Sequence, residues 1–430
     1  MNAQALILPL LLPFVHCFTA PGFAHFAHFV LAHMALLGVP HCVTETLRLT
    51  QVHTVVHWTT PYAFMKRGRW SCRQLSQCLL DVIVKTLGLA GEVVVVLDDT
   101  LVKKWGKKFF GLGLYPDPTD KNPGVHKRRV YGHCWVVVAL LWEYQVGKWV
   151  GFPLAALLFV PLALCSQAWP FLTKIDLAAW LLRGLRWPTT RVVLVVDNLY
   201  AKAQLAALVP ASGPCVLVSR LRSNAALYLL PPSPPVKPRR GRRPRRGLKR
   251  TAPQLYRCRS QRRSLKVRIY GKTVTLAAYA GVVMPSRRLG DVPIRVVIFP
   301  QRRGHKMNIF FSTDPTMAPE RLLELYAARF KIEDIFDELK TMGGFADCRQ
   351  RCFPALKRHA TLCLVAYSLL RLLSITLKGA AAIEAEPWWC PAGPPSVTRL
   401  RRAVFKALCI SSRLHSNLKV NENVAWQEAA

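Results

Sequence analysis

The sequence predicts an α/β fold: a mixed sheet flanked by helices, preceded by a helical N-terminal domain and interrupted by a β-rich insertion. Three observations carry this. Two runs, Glu92-Val-Val-Val-Val-Leu-Asp98-Asp99-Thr100 and Arg191-Val-Val-Leu-Val-Val-Asp197-Asn198, are continuously apolar and then acidic, as central strands buried on both faces are. The stretch around Tyr326 to Lys340 has no Gly or Pro, and Leu322, Leu325, Ile332, Ile335, Phe336 and Leu339 recur at helical spacing behind Pro319-Glu320. That pattern predicts one long amphipathic helix. After Leu221 the composition turns to Pro, then to Lys and Arg, and then to strand-like alternation.

The chain of 430 residues is long enough for a large core and two or three domains, and 51% hydrophobic residues exclude a mainly disordered protein. A formal charge of +37, from 60 Lys and Arg against 23 Asp and Glu, points to a polyanionic partner, nucleic acid first and an anionic membrane second. The mean hydropathy of +0.19 and the apolar start, Ala5 to Val15, give the membrane some support. That start has no basic residues before it and contains two prolines, so a cleaved signal is not expected. The apolar stretch from Trp135 to Leu164 is interrupted by Glu143, Lys148 and Pro153, with Gln145 and Gly147 forming a turn, and reads as a hairpin rather than a membrane span. No membrane partner is expected. Thirteen cysteines without a CxxC pair read as reduced thiols in a cytoplasm, not as a disulfide framework or zinc site. His25, His28 and His33 lie in an apolar helical run, where packing is the expected role.

Residues 1–90 read as helical, with apolar runs at 5–15, 23–38 and 76–89, and the aromatic and basic segment from His57 to Ser71 suits contact with DNA or packing on the helices. Residues 91–221 form the first part of the core. They comprise the Asp98-Asp99 strand, a basic loop over 101–130 that includes Lys103 and Lys107, strands at 133–142 and 149–159, a helix at 169–182, the Asp197 strand, a helix at 201–208 and a strand at 215–219. Residues 222–312 form the basic, β-rich insertion, with strands at 265–270, 273–283, 292–299 and 308–312. In it nine of the fourteen residues 237–250 are Lys or Arg, among them Arg239, Arg240, Arg242 and Arg243. Such a run builds no core, and suits phosphate binding. Residues 313–380 complete the core with the long helix and an apolar helix at 352–377, and 381–430 form a basic C-terminal region, expected to be disordered from 415.

On the long helix Tyr326, Arg329, Glu333 and Lys340 stand at offsets 0, 3, 7 and 14, which at about 3.6 residues per turn keeps them on one stripe. Taken singly, each fits a solvated face with intrahelical ion pairs. Taken with acids ending two buried strands, the stripe suits a site for two divalent cations about 4 Å apart, which would activate water or a 3′-hydroxyl for phosphoryl displacement. Asp98, Asp197 and Glu333 are the candidate ligands, and hard oxygen donors favour Mg²⁺ or Mn²⁺ over zinc. Asp197 could instead cap a following helix.

The order strand-Asp, strand-Asp, helix-Glu, with the spacing Tyr326-x2-Arg329-x3-Glu333-x6-Lys340, resembles bacterial insertion-sequence DDE transposases of the Tyr-Arg-Glu-Lys signature group. Leu97-Asp-Asp-Thr100 ahead of Lys103-Lys-Trp-Gly-Lys107, and Phe311-Ser-Thr-Asp314 ahead of the helix, agree with this, and the likeness covers about residues 50–355. The resemblance implies an RNase H-like core and cut-and-paste transposition, with cleavage at element ends and strand transfer into target DNA, using two Mg²⁺ or Mn²⁺ ions. It implies catalytic Asp98 or Asp99, Asp197 and Glu333, and phosphate contacts by Tyr326, Arg329 and Lys340. Relatives with Asp-x-Thr at this strand end favour Asp98 over Asp99, and only one of two neighbours in a strand can face the site. Double-stranded DNA (terminal inverted repeats and target) is the implied partner, a homodimer the implied paired-end assembly, and the cytoplasm, at the nucleoid, the implied place. A DNA-binding descendant that has lost the chemistry is the alternative.

Overall fold

The computed structural model describes residues 3–404, apart from 121–127, 168, 188–190, 203–204, 206, 208, 210–212, 232–243, 287–288, 302–305, 377–397 and 403. Five helices come first: α1 (Ala3–Leu11), α2 (Ala20–Ala35), α3 (Val43–Thr50), α4 (Thr59–Arg67) and α5 (Cys72–Leu87). Local chemistry sets the ends of α5. The Ser71 side chain accepts a hydrogen bond from the Gln74 N–H at its start, and Gly88 closes it in the left-handed region at φ 62°. Its buried residues Leu75, Leu79 and Ile83 follow helical spacing and join the core. The apolar start is part of that core as well, since Ile7, Leu11 and Phe14 are buried.

Among the described residues a ten-stranded sheet forms the centre of the fold. Its central part consists of β1 (Glu92–Lys103), β3 (Arg129–Gln145), β4 (Lys148–Phe159), β5 (Arg191–Val196) and β6 (Cys215–Leu221), with the short β2 (Gly113–Pro116) also paired to β3. The order β4-β3-β1 is antiparallel, and β1-β5-β6 is parallel. This is the RNase H-like mixed sheet, flanked by helices. The valine runs of β1 and β5 are buried along their length, as the sequence predicts. Helix α6 (Lys174–Gly184) begins later than expected, because Thr173 and Asp176 form a reciprocal capping box that fixes its first turn. Half of the helix expected at 201–208 falls outside the described residues, and its described start, Ala201 and Lys202, is not helical.

Beyond β6 come a two-stranded ribbon, β7 (Leu227–Tyr228) with β8 (Lys249–Arg250), the short α7 (Ala252–Tyr256), and β9 (Arg262–Ile269), β10 (Lys272–Val283), β11 (Ile294–Pro300) and β12 (Met307–Ser312). β12 pairs antiparallel with β6, from Ile309↔Leu221 to Ser312↔Val218, so the four later strands extend the central sheet. The chain then forms α8 (Pro319–Ala328), α9 (Lys331–Thr341) and α10 (Phe353–Thr376).

Two expectations are corrected here. The acids at 98 and 99 do not end their strand: β1 continues to Lys103 because β3 goes on pairing with it, whereas β5 stops pairing at Leu97↔Val196. The single long helix is two. At Arg329-Phe330 the hydrogen bonding tightens to three-residue steps, Phe330 N–H to Ala327 O, Ile332 N–H to Arg329 O and Glu333 N–H to Phe330 O, which separates the two helices. Apolar spacing cannot distinguish these, since a short tightened turn leaves the same residues facing the core. Helix α10 is long and apolar enough to cross a membrane, but most of it is buried against β4, α2 and α5.

Candidate active site

Register brings the first two acids together. Leu97 and Val196 are the last paired residues of β1 and β5, so Asp98 and Asp197 are the next residues on neighbouring parallel strands, about 5 Å apart in backbone. Both side chains line one cavity of about 530 Å³, with Glu333 on the first turn of α9 across from them. Tyr326, Arg329, Phe330, Arg220 and Tyr270 line it too.

Arg329 is the electrostatic centre. Its Nη1 donates to Asp98 Oδ2 at 2.9 Å and its Nη2 reaches Glu333 Oε1 at 3.4 Å, so one guanidinium spans two of the three carboxylates. It lies between the rings of Tyr326 (5.6 Å) and Phe330 (4.7 Å), which hold it by cation–π contact. The Arg329 side chain is 7% exposed and that of Glu333 56%, so the salt bridge runs from the floor of the cavity to its rim. The Tyr326 hydroxyl stands 3.4 Å from Asp197 Oδ1, and its ring packs on Phe310. Burial pushes the Asp98 carboxyl up to about 6, and the like charges of Asp99 and Asp197 add to the rise. The backbone N–H of Asp99 and the Arg329 guanidinium offset only part of it.

Asp99 lies on the other face of the sheet, as alternation requires. Its Oδ2 accepts from Lys174 Nζ of α6 at 2.6 Å and its Oδ1 from the Tyr200 hydroxyl at 2.8 Å, and it does not line the cavity. Lys340 stands about two turns beyond Glu333, half-buried and also outside the cavity lining. Lys103 is engaged locally with Asp117 and Thr119, and exposed Lys107 stands over the Tyr131 ring. Arg239, Arg240, Arg242 and Arg243 lie outside the described residues. Their described neighbours Arg245 and Arg246 pair with Asp291.

Among the lining residues, reasoning from sequence missed Arg220, Phe330 and Tyr270. Arg220 sits one residue past the strand predicted at 215–219, on β6 beside Phe310 of β12. Phe330 is the break between α8 and α9. Tyr270 is the tip of the two-residue β9–β10 turn, with Gly271. Both have positive φ, 51° and 75°, and Tyr270 is 63% exposed. A tyrosine in the left-handed region costs on the order of 1 kcal/mol, and the Tyr-Gly pair between two alternating strands was the signal available for it. Burial raises the Tyr270 phenol, and the nearby charge of Glu333 raises it further.

The donor set suits hard divalent cations. The acids line one cavity without closing into a tight cluster, because a guanidinium occupies the space between Asp98 and Glu333 as a resident counter-cation. Asp98 resists ionisation there, and an added cation would relieve that resistance. Asp98, Asp197 and Glu333 are thus the groups fitted to hold such ions.

A family model for the DDE superfamily endonucleases matches residues 13–276, more than half of the chain. The matched segment contains Asp98, Asp197 and helices α2 to α5, while α1 and Glu333 lie outside it. No curated protein matches the chain. Divalent-metal chemistry and a DNA substrate go with this family, and the mixed sheet flanked by helices agrees with it. The chain belongs to the DDE superfamily of endonucleases.

Proposed function

We propose that the protein is a DNA transposase that cleaves the ends of its element and joins them to target DNA, with Asp98, Asp197 and Glu333 as the catalytic acids. The observation that carries this reading is their convergence on one cavity, from two parallel strands and a helix, around Arg329. Two Mg²⁺ or Mn²⁺ ions, when bound, would supply an activated water or 3′-hydroxyl and stabilise the leaving oxygen.

The chain's own residues do the rest. Asp98 and Asp197 are fixed by strand register, so their spacing does not depend on side-chain order alone. Glu333, on the rim, is the acid free to adjust as DNA enters. Arg329 neutralises the acids before DNA arrives and, displaced from Glu333, presents its outer edge to a phosphate oxygen. Tyr326 and Arg220 line the same wall and suit the phosphates flanking the cleaved bond. Lys340, Lys107 and the Lys237–Arg250 run would hold DNA farther out. The net charge of +37 makes binding fall steeply with salt. Terminal inverted repeats and target DNA are the proposed partners, a homodimer holding two ends the proposed assembly, and the nucleoid the proposed place of action.

The test uses supercoiled plasmid carrying the DNA that flanks the gene on both sides, incubated with the full chain and Mg²⁺. Nicking at the element ends is expected, with Glu333→Gln reducing it about 10³-fold at unchanged melting temperature. Retention of DNA on the protein with no metal-dependent nicking by the unaltered chain would favour the catalytically inactive descendant instead.

A further inference from the structure

Outside the acidic cavity, in the interior between α2 and α10, His33, His359 and Cys363 form a second cluster. One ring nitrogen of each histidine and the Cys363 sulfur lie within 4.8 Å of one another, and all three residues are buried. His359 and Cys363 are four apart on α10, which puts both on one face toward α2. The His33 and His359 rings meet edge-on, with centroids 5.4 Å apart.

The hydrogen bonds fix which nitrogen of each ring carries the proton. His33 Nδ1 stands 2.7 Å from the Phe29 carbonyl oxygen and must donate to it, which leaves Nε2 as the bare lone pair. That Nε2 is buried with no hydrogen-bond partner. His359 Nε2 likewise donates to the Gly344 carbonyl at 2.8 Å, leaving Nδ1 as its lone pair. Each imidazole is therefore locked by a backbone carbonyl in the tautomer a metal-binding histidine uses. Both rings are kept neutral: burial lowers His359 to about 4 and His33 well below its ordinary value. A buried lone pair with nothing to accept is costly, and the His33 ring, beside a second imidazole and a thiol, lacks only an electrophile.

We propose that His33 Nε2, His359 Nδ1 and Cys363 Sγ bind a thiophilic d¹⁰ cation, Zn²⁺ or Cu⁺, that fastens the N-terminal helices to the catalytic core. Two imidazole nitrogens and a thiolate are borderline-to-soft donors, unlike the hard acids of the cavity. Bond lengths of about 2.1 Å to nitrogen and 2.3 Å to sulfur need the donors to close by only about 1 Å. Binding is balanced by release of the Cys363 thiol proton to solvent, with no redox step. His41, the next histidine, is not a ligand. Its Nδ1 meets Asp347 and its Nε2 meets the buried Arg401, which leaves three protein ligands. Arg401 and Lys104 make the surroundings cationic and favour the monovalent ion, whereas Asp347 favours the divalent one. Metal content decides between them. This assignment replaces the packing role that the sequence suggested for His33.

The experiment uses the full chain carrying Asp197→Asn, so that ions held by the acidic cavity do not contribute. Metal analysis of the purified protein is expected to find about one zinc or copper per chain, lost in Cys363→Ser and in His359→Gln. In case these variants fold poorly, the Asp197→Asn chain itself is melted with and without a thiophilic chelator in excess Mg²⁺. Chelation is expected to lower the midpoint by several degrees, and added Zn²⁺ or Cu⁺, but not Mg²⁺, to restore it. Affinity should rise about tenfold per pH unit through neutrality, one proton being released. Metal content far below one per chain together with a midpoint indifferent to chelation overturns the proposal. So does stoichiometric metal that survives both substitutions.

Discussion

Asp98 and Asp99 are adjacent in sequence and lie in opposite worlds. On one face of β1, Asp98 shares a cavity with two other acids, has one guanidinium for a partner, and is reluctant to ionise. On the other face, Asp99 is saturated by an ammonium, a phenol and a thiol in a closed layer under α6. The first carboxylate has unmet electrostatic demand, which an incoming cation can satisfy. The second has none, so its charge serves to hold α6 on the sheet. Spare capacity, rather than acidity or burial, separates a candidate catalytic group from a structural one here.

The sharpest way to break this comparison is to remove each charge in turn. Asp98→Asn and Asp197→Asn are expected to reduce nicking about 10³-fold or more, while Asp99→Asn stays within about tenfold when assayed well below its melting temperature. Equal losses from Asp98→Asn and Asp99→Asn would erase the distinction.

Stability should move the other way. Asp99→Asn leaves Lys174 without its anion in a half-buried place and is expected to cost about 2 kcal/mol by denaturant unfolding. Asp98→Asn should stabilise the metal-free protein, and only at higher pH. The Asp98 carboxyl holds its proton more tightly folded (about 6) than unfolded (3.8), so its favourable contribution is complete below pH 3.8 and is lost as pH rises to about 6. The gain from Asp98→Asn should therefore be absent near pH 4 and reach at most about 3 kcal/mol above pH 6.5. By the same linkage, Mg²⁺ added near pH 5.5 should release protons in a titration calorimeter, and Asp98→Asn should suppress that release.

The smallest effect belongs to the hairpin tip. Tyr270→Asn relieves the left-handed strain and is expected to stabilise the fold by about 0.5 kcal/mol while weakening binding of DNA ends several-fold. Unchanged binding would remove Tyr270 from the DNA-facing wall.

Much of this was legible in the sequence, for identifiable reasons. The valine runs marked two central strands, and alternation showed that only one of Asp98 and Asp99 can face the site, the Asp-x-Thr resemblance favouring Asp98. The spacing of Tyr326, Arg329 and Glu333 survived the break between α8 and α9, since all three still line the cavity. Lys340, two turns farther on, lies away from the cavity. Three things were not legible. Arg220, Phe330 and Tyr270 reach the cavity through strand pairing and a turn, which are long-range facts. The ion pair of Lys103 with Asp117 depends on a loop closing on itself. The meeting of His33 with His359 and Cys363 joins residues more than three hundred positions apart, and no local pattern records it.

The pairing of β12 with β6 has a consequence for dissecting the molecule. In the parallel set β1-β5-β6, the outer strand would offer a row of open amides and carbonyls from Val218 to Leu221, and β12 closes that row. A shortened chain that omits the strands after β6, however compact its remaining acids look on paper, would carry an adhesive border inviting other chains to complete it. The later strands therefore act as a hem on the sheet, and attempts to isolate a minimal nuclease should keep β12 and its neighbour β11 even if the Lys237–Arg250 run is cut away.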